Sequence, residues 1–304
     1  MRTRKPAWLR TAVPAGDVFE HVNRRLRDSG LCTVCTSARC PNLAECWNRG
    51  TATVMLLGEV CTRACRFCSV CTGNPRGAVD EDEPARVARA VRELGLRYVV
   101  LTSVDRDDLP DHGAAQFART VVEVRSQKPE VRDQNADRMS EIRVEVLTPD
   151  FGGREELIGR VVDARPDVFG HNLETVERLS PAARDRRASY RRSLGVLETV
   201  KRLDPGMLTK SGLMVGLGER DEEVSQALEH LRSTGCDIVT IGQYLQPSRR
   251  CLPVERYVEP ERFEQWQAEA RGLGFRSAFC GPLVRSSYLA DRLFAEGIGG
   301  RIGS

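Results

Sequence analysis

Two cysteine triplets offer chemistry in this chain. Cys61, Cys65 and Cys68 are spaced C-x3-C-x2-C, and Cys35, Cys40 and Cys46 are spaced C-x4-C-x5-C, all within 34 residues. Single cysteines are commonly inert packing residues, but two regular triplets in loop-like sequence do not fit that reading. Thiolates at such spacings ligate metals, and a cubane iron–sulfur cluster takes one anionic ligand per iron. Each triplet supplies three, leaving one iron open to an outside ligand, much as catalytic zinc keeps a position for water. A ferredoxin would close its cluster with a fourth cysteine, and a structural zinc site favours paired CxxC or Cys/His spacings. Cys71 leaves a fourth ligand for the downstream triplet open. Cys32, three residues before Cys35, leaves a C-x2-C arrangement open.

A chain of 304 residues buries a substantial core without staples, so these cysteines are not required as disulfides. Arg2, Arg4 and Lys5 are followed by no apolar stretch of the signal-peptide kind, and no apolar run approaches a membrane span. The expectation is a reducing, cytoplasmic setting in which clustered cysteines bind metal or catalyse. A net charge of +3 with arginines interleaved among acids gives no nucleic-acid footprint.

The elements that must position the triplets follow from periodicity. An amphipathic helix is expected over 17–30 and a ligand-held loop over 32–50. Strands are expected at 53–57, 97–102, 143–147, 168–172, 211–215 and 237–241, with a last short one at 276–279. Helices are expected at 83–94, 112–126, 154–164, 190–203, 222–234 and 262–273. The polar stretch 131–142 reads as a surface insertion. Strands alternating with helices predict βαβ units on a parallel sheet, hence α/β class and a partial (β/α)6 TIM-type barrel. The expected organisation is an N-terminal extension over 1–50, the barrel over 51–260 and a C-terminal extension over 261–304, in one compact unit. The Cys61 triplet follows the first strand and so belongs to the face where such barrels carry their sites.

The C-x3-C-x2-C after a first barrel strand resembles the radical S-adenosylmethionine superfamily. The upstream triplet within VCTSARCPNLAECW, together with LTSVDRDDL, HNLETV, TKSGLMVGLGE, GQYLQPS and RSSY (285–288), resembles the lipoyl synthase family within it, over about residues 28–291. The resemblance implies that Cys61, Cys65 and Cys68 hold a [4Fe–4S] cluster whose open iron chelates S-adenosylmethionine, cleaved by one electron to methionine and a 5′-deoxyadenosyl radical. It implies that Cys35, Cys40 and Cys46, with Ser287 rather than Ser286, hold an auxiliary [4Fe–4S] cluster that is consumed as the sulfur source. The target carbons would be C6 and C8 of a lysine-bound octanoyl chain. These carbons have no acidic proton, so a radical is needed where a general base would fail.

By the same resemblance the carrier is the lipoyl domain of a 2-oxoacid dehydrogenase E2 subunit or the glycine-cleavage H protein. A flavodoxin or ferredoxin donates electrons, and an iron–sulfur carrier protein supplies iron and sulfur; neither nucleic acid nor membrane is a partner. Cys71 becomes a spare thiol. Ser103, Asp105, Asn172, Glu174 and Gly216, at strand ends, are expected to line the S-adenosylmethionine site. The plainer readings are a solvated charge run for Asp105, Asp107 and Asp108, and a strand-end turn for Gly216. Cys236, Cys251 and Cys280 read as packing, and His171 and Arg285 as structural. The competing functions are another sulfur-inserting radical enzyme, which would lack the upstream triplet with RSSY, and a two-cluster electron carrier, for which the βα repeats are superfluous.

Overall fold

A computed structural model describes residues 5–9, 30–33, 42–48, 51–126 and 142–299. Its contacts group residues 14–63 and 70–169 into one compact unit, and residues 1–13, 64–69 and 170–304 into a second. The dividing line runs through the fourth expected strand, while the expected segment boundaries stand at 50/51 and 260/261.

In the first unit, β1 (Cys32–Thr33), α1 (Leu43–Asn48) and β2 (Thr51–Leu56) precede a small parallel pair, β3 (Val60–Cys61) with β4 (Cys71–Thr72). Then come α2 (Glu83–Glu93), β5 (Tyr98–Ser103), α3 (Ala114–Ser126), β6 (Arg143–Leu147), α4 (Glu155–Asp163) and β7 (Val168–Gly170). The strand order is β1-β2-β5-β6-β7. β2, β5 and β6 run parallel, Thr51 opposite Tyr98 and Tyr98 opposite Arg143, while β1 lies antiparallel on β2. β2 is buried at every position, as a strand covered on both faces should be. The helices cover the sheet with apolar stripes such as Phe117, Val121 and Val124 of α3.

The second unit carries α5 (Ser180–Ala183), α6 (Tyr190–Leu203), β8 (Leu208–Val215), α7 (Asp221–Ser233), β9 (Ile238–Gln243), α8 (Pro260–Gly272), β10 (Ser277–Gly281) and α9 (Ala290–Gly299). β8, β9 and β10 are adjacent and parallel. Residues 171–174 also run along β8, with His171 N donating to Lys210 O and Glu174 N to Gly212 O. Leu228, Val239, Ile241, Phe263 and Trp266 pack in its core, the last two rings edge-on at 5.7 Å. Ser189 caps α6 by accepting from Arg192 N, the usual role of a serine there.

The α/β class expected from the sequence is present, and the repeated order of strand then helix is consistent with a partial TIM-type barrel. Strands expected at 53–57 and 211–215 begin earlier, at Thr51 and Leu208. Thr209 and Lys210 hid the start of β8 because both are polar, yet both are buried. Asp237 binds the Thr209 amide at 2.9 Å, which supplies the partner that a buried strand end needs. The loop expected over 32–50 contains β1 and α1. α9, rich in glycine, was absent from the expectation. The helix expected over 17–30 lies outside the described residues except Gly30, and the insertion at 131–142 except Ile142. Among the described residues no helix is long and apolar enough to cross a membrane.

Candidate iron–sulfur and S-adenosylmethionine site

Cys61 closes β3 in the first unit and is fixed on both sides. Its carbonyl accepts from Gly73 N at 2.9 Å, and Thr62 N donates to Asp105 O at 2.9 Å. Thr62 Oγ1 donates to Asp107 at 2.8 Å. The Cys61 sulfur accepts the amide of Arg63 at 3.4 Å and lies 3.9 Å from the Asp105 carboxylate. Behind it, the Arg63 side chain, 4% exposed, meets Asp105, Asp107 and Asp150 at 3.2, 2.8 and 2.7 Å. Burial opposes its charge, but the bonds to Asp107 and Asp150 and the field of Asp105 hold the guanidinium protonated, above its ordinary range. Asp105, expected to face S-adenosylmethionine, therefore also faces Arg63 and Cys61. Ser103 ends β5 with its hydroxyl buried and unpartnered, an open valence of the kind a bound polar ligand satisfies.

Cys65 and Cys68 belong to the second unit. Asp185 N donates to the Cys65 sulfur at 3.3 Å, and the Asp185 carboxylate accepts from Ala64 N at 2.9 Å. Arg187 beside it, helped by backbone amides, holds that carboxyl well below the usual carboxylate range. Cys251 donates from its thiol to Cys68 O at 3.3 Å, and Leu252 N binds Arg66 O at 2.8 Å. Cys251 thus packs on the cysteine segment instead of a remote core. Cys236 and Cys280 do read as packing: burial pushes each thiol up to about 12.

Asn172 and Glu174 follow β7, which ends at Gly170 where the expected strand ran on to Asn172. Glu174 sits in the left-handed region at φ 71° and bridges to Leu213. Desolvation pushes its carboxyl up, against the field of Arg184 and a hydrogen bond from Asn172. Arg184, 8% exposed, reaches Ser193 Oγ at 2.7 Å, and its Nε is buried without a partner. His171 also binds Ser193 Oγ, at 2.9 Å. At Gly216 the local packing by itself requires glycine: φ is 101°, and a Cβ would come within 2.1 Å of Gln243 Nε2. Its amide is taken by Glu219 Oε1 at 2.6 Å.

Of the second triplet, Cys35 and Cys40 lie outside the described residues. Cys46 is half-buried on α1. Ser286 and Ser287, both half-buried, occupy a turn closed by Tyr288 N on Arg285 O at 2.9 Å. Arg285 ties that turn to the end of β9 through Gln243 O at 3.3 Å. Arg63, Asp150, Asp185, Arg184 and Cys251 were missed as site neighbours. Only Arg63 carried a signal, its place inside the C-x3-C.

A family model of the Radical SAM superfamily matches residues 55–231, and one for the N-terminal domain of lipoyl synthase matches residues 1–40. Lipoyl synthase of Halorhodospira halophila is 54% identical over 96% of this chain and 84% of its own length. The chain belongs to the lipoyl synthase family. Lipoyl synthase of Thermus thermophilus is 52% identical over 96% of this chain and 87% of its own. The structure of methylornithine synthase shares the fold, with a TM-score of 0.54 and 13% identity over 90% of this chain and 89% of that one.

A radical S-adenosylmethionine family member carries a [4Fe–4S] cluster and uses S-adenosylmethionine. Residues of this chain fit both groups. Amide hydrogen bonds to the sulfurs of Cys61 and Cys65 are of the type that stabilises and tunes cluster thiolates, and Ser103 has an unsatisfied hydroxyl. Among the described residues, no three His, Cys, Asp or Glu side chains are gathered as for a metal ion; a four-iron cubane is a larger body than one ion.

Proposed function

We propose that this lipoyl synthase family chain inserts two sulfur atoms, at C6 and C8 of an octanoyl chain carried on a protein lysine, at the expense of two S-adenosylmethionine molecules. Cys61, Cys65 and Cys68 hold one cluster; Cys35, Cys40, Cys46 and Ser287 hold a second. When bound, the first supplies the electron that cleaves the sulfonium of S-adenosylmethionine, and the second supplies sulfur. The observation that carries this reading is the identity of 54% to a lipoyl synthase across 96% of the chain, which spans both triplets and RSSY.

The chain's own residues then divide the work. The amides of Arg63 and Asp185 point hydrogens at the sulfurs of Cys61 and Cys65 and stabilise their anionic form. Ser103, Asp105, Asn172 and Glu174 bind S-adenosylmethionine, with Glu174 placed by Asn172 and Arg184; Gly216 lets the strand-end turn close. A serine ligand is a weaker iron donor than a thiolate, which suits a cluster that must be dismantled. The octanoyl carrier is a lipoyl domain or H protein, electrons come from a flavodoxin or ferredoxin, and a carrier protein rebuilds the second cluster. The site of action is the cytoplasm.

The test is an anaerobic reaction of reconstituted protein with reductant, S-adenosylmethionine and an octanoyl-lysine peptide. The expected products are methionine, 5′-deoxyadenosine and a dithiolated peptide; failure to form either 5′-deoxyadenosine or thiolated peptide rejects the proposal.

A further inference from the structure

We infer that Arg63 is a positioning residue for Cys61, fixing the loop geometry and screening the carboxylates beside the cluster; this rests on the reading of Cys61 as a cluster ligand. Arg63 is two residues from both Cys61 and Cys65 and reaches no solvent of consequence. Its Nε and Nη2 form a fork on Asp107, and Nη1 and Nη2 form a second fork on Asp150 at 3.0 and 2.7 Å. Nη1 also meets Asp105 at 3.2 Å. A guanidinium has five N–H donors in a rigid plane, and this one spends them on loops that follow β5 and β6. The Arg63 carbonyl is itself held by Thr72 Oγ1 at 3.4 Å. The loop carrying Cys61 is therefore clamped to both neighbouring strand-end loops by one side chain.

The charge balance argues that the clamp serves more than cohesion. One arginine faces three aspartates, and even with His112, 3.5 Å from Asp107, the acids outnumber the bases next to a sulfur that must itself be anionic. The Asp105 carboxylate stands 3.9 Å from that sulfur, and Arg63 Nη1 meets the same carboxylate at 3.2 Å. Removing the guanidinium would leave that carboxylate to oppose both the thiolate and any further negative charge placed on the cluster. Lysine would keep the charge but cannot reproduce two planar forks.

The experiment uses the full chain with Cys40→Ala and Cys46→Ala, so that only the Cys61 triplet can hold a cluster. Arg63→Gln, Arg63→Lys and Asp107→Asn are reconstituted anaerobically. Iron content, iron loss to a chelator, the midpoint potential and the stability of the cluster-free chain are then measured. The expected result is that Arg63→Gln holds its cluster roughly 10–100-fold less tightly, the usual effect of losing a group that orients a metal ligand, and that its potential moves to more negative values. Arg63→Lys should lose iron as readily but keep a potential nearer the parent's. Asp107→Asn, which leaves the Asp150 fork, should weaken retention less and carries the test should the arginine variants not fold.

Parent-like retention and potential in both arginine variants would overturn the inference. So would weaker retention with an unchanged potential in Arg63→Gln, which would make the residue a prop for the fold. A parent that holds no iron would overturn the underlying reading of the Cys61 triplet, a failure distinct from iron that is bound but indifferent to Arg63.

Discussion

Two buried ion clusters face opposite ends of their strands, and their charge balance differs. After β5 and β6, Arg63 is surrounded by Asp105, Asp107 and Asp150. Before β9 and β10, Asp237 is surrounded by Lys201 at 2.5 Å, Arg276 at 3.0 Å and the Thr209 amide at 2.9 Å. The second cluster joins a helix end to three strand starts, and the thiol beside it, Cys236, is fully buried. The first joins loops and presses against a cysteine sulfur. In parallel α/β folds the C-terminal strand ends carry chemistry and the N-terminal ends carry stability. Here the same device, one ion held by several opposite charges, stands at each end.

The comparison breaks most sharply at Arg63. Replacing it with Met removes the guanidinium that three aspartates share and should cost about 3–5 kcal/mol of stability in the cluster-free chain, the usual penalty for breaking a buried pair by removing one partner. Urea unfolding measures this, and a loss below about 1 kcal/mol would make the cluster no different from a surface ion pair. Asp237→Asn should cost about 1–3 kcal/mol while leaving the iron bound per folded chain unchanged; altered iron content would erase the distinction between the two ends.

A third site sharpens the contrast from the backbone side. A Cβ at Gly242 would lie 2.0 Å from Val284 O, on the segment leading to Ser287. Gly242→Ala should cost about 1–3 kcal/mol as overpacking. It should also lower the iron held by the upstream triplet, counted in a chain whose Cys61 triplet is removed.

The smallest effect belongs to an exposed pair. Arg178, bonded to Glu223, is the main reason that carboxyl is lowered to about 2. A lowered carboxyl stabilises the fold above its unfolded pKa, and that contribution fades as pH falls from about 4.5 towards 2. Arg178→Ala should therefore reduce stability at neutral pH only slightly and flatten the acid limb of the unfolding profile. An unchanged acid limb would show the pair to be inconsequential.

Much of the repeat was readable because its strands are short apolar runs and its helices carry periodic stripes. Arg143–Leu147 and Tyr190–Leu203 lie where periodicity puts them. What escaped was polar residue in buried settings. Thr209 and Lys210 look like loop until Asp237 supplies a partner, and Asp150 looks like an ordinary turn residue until Arg63 arrives from 87 residues away. Gly297 and Gly299 hid α9, because glycine argues against helix unless tertiary packing overrides it. Cys251 read as packing because its neighbour, Cys68, is remote in sequence. Candidate ligands could be recognised by their spacing, whereas the groups that orient them depend on contacts that no local pattern encodes.

The cysteine segment also has a timetable. Cys61 and Arg63 find their partners by residue 150, but Arg66 waits for Ala183 and Leu252, and Cys68 for Cys251, 183 residues later. At ordinary synthesis rates the roughly 100 residues from Asp150 to Cys251 take about 5–20 s, during which half of the segment is braced and half is not. The nascent chain thus presents Cys65 and Cys68 to oxidants, or to a delivering protein, well before Asp185 and Cys251 arrive to brace them.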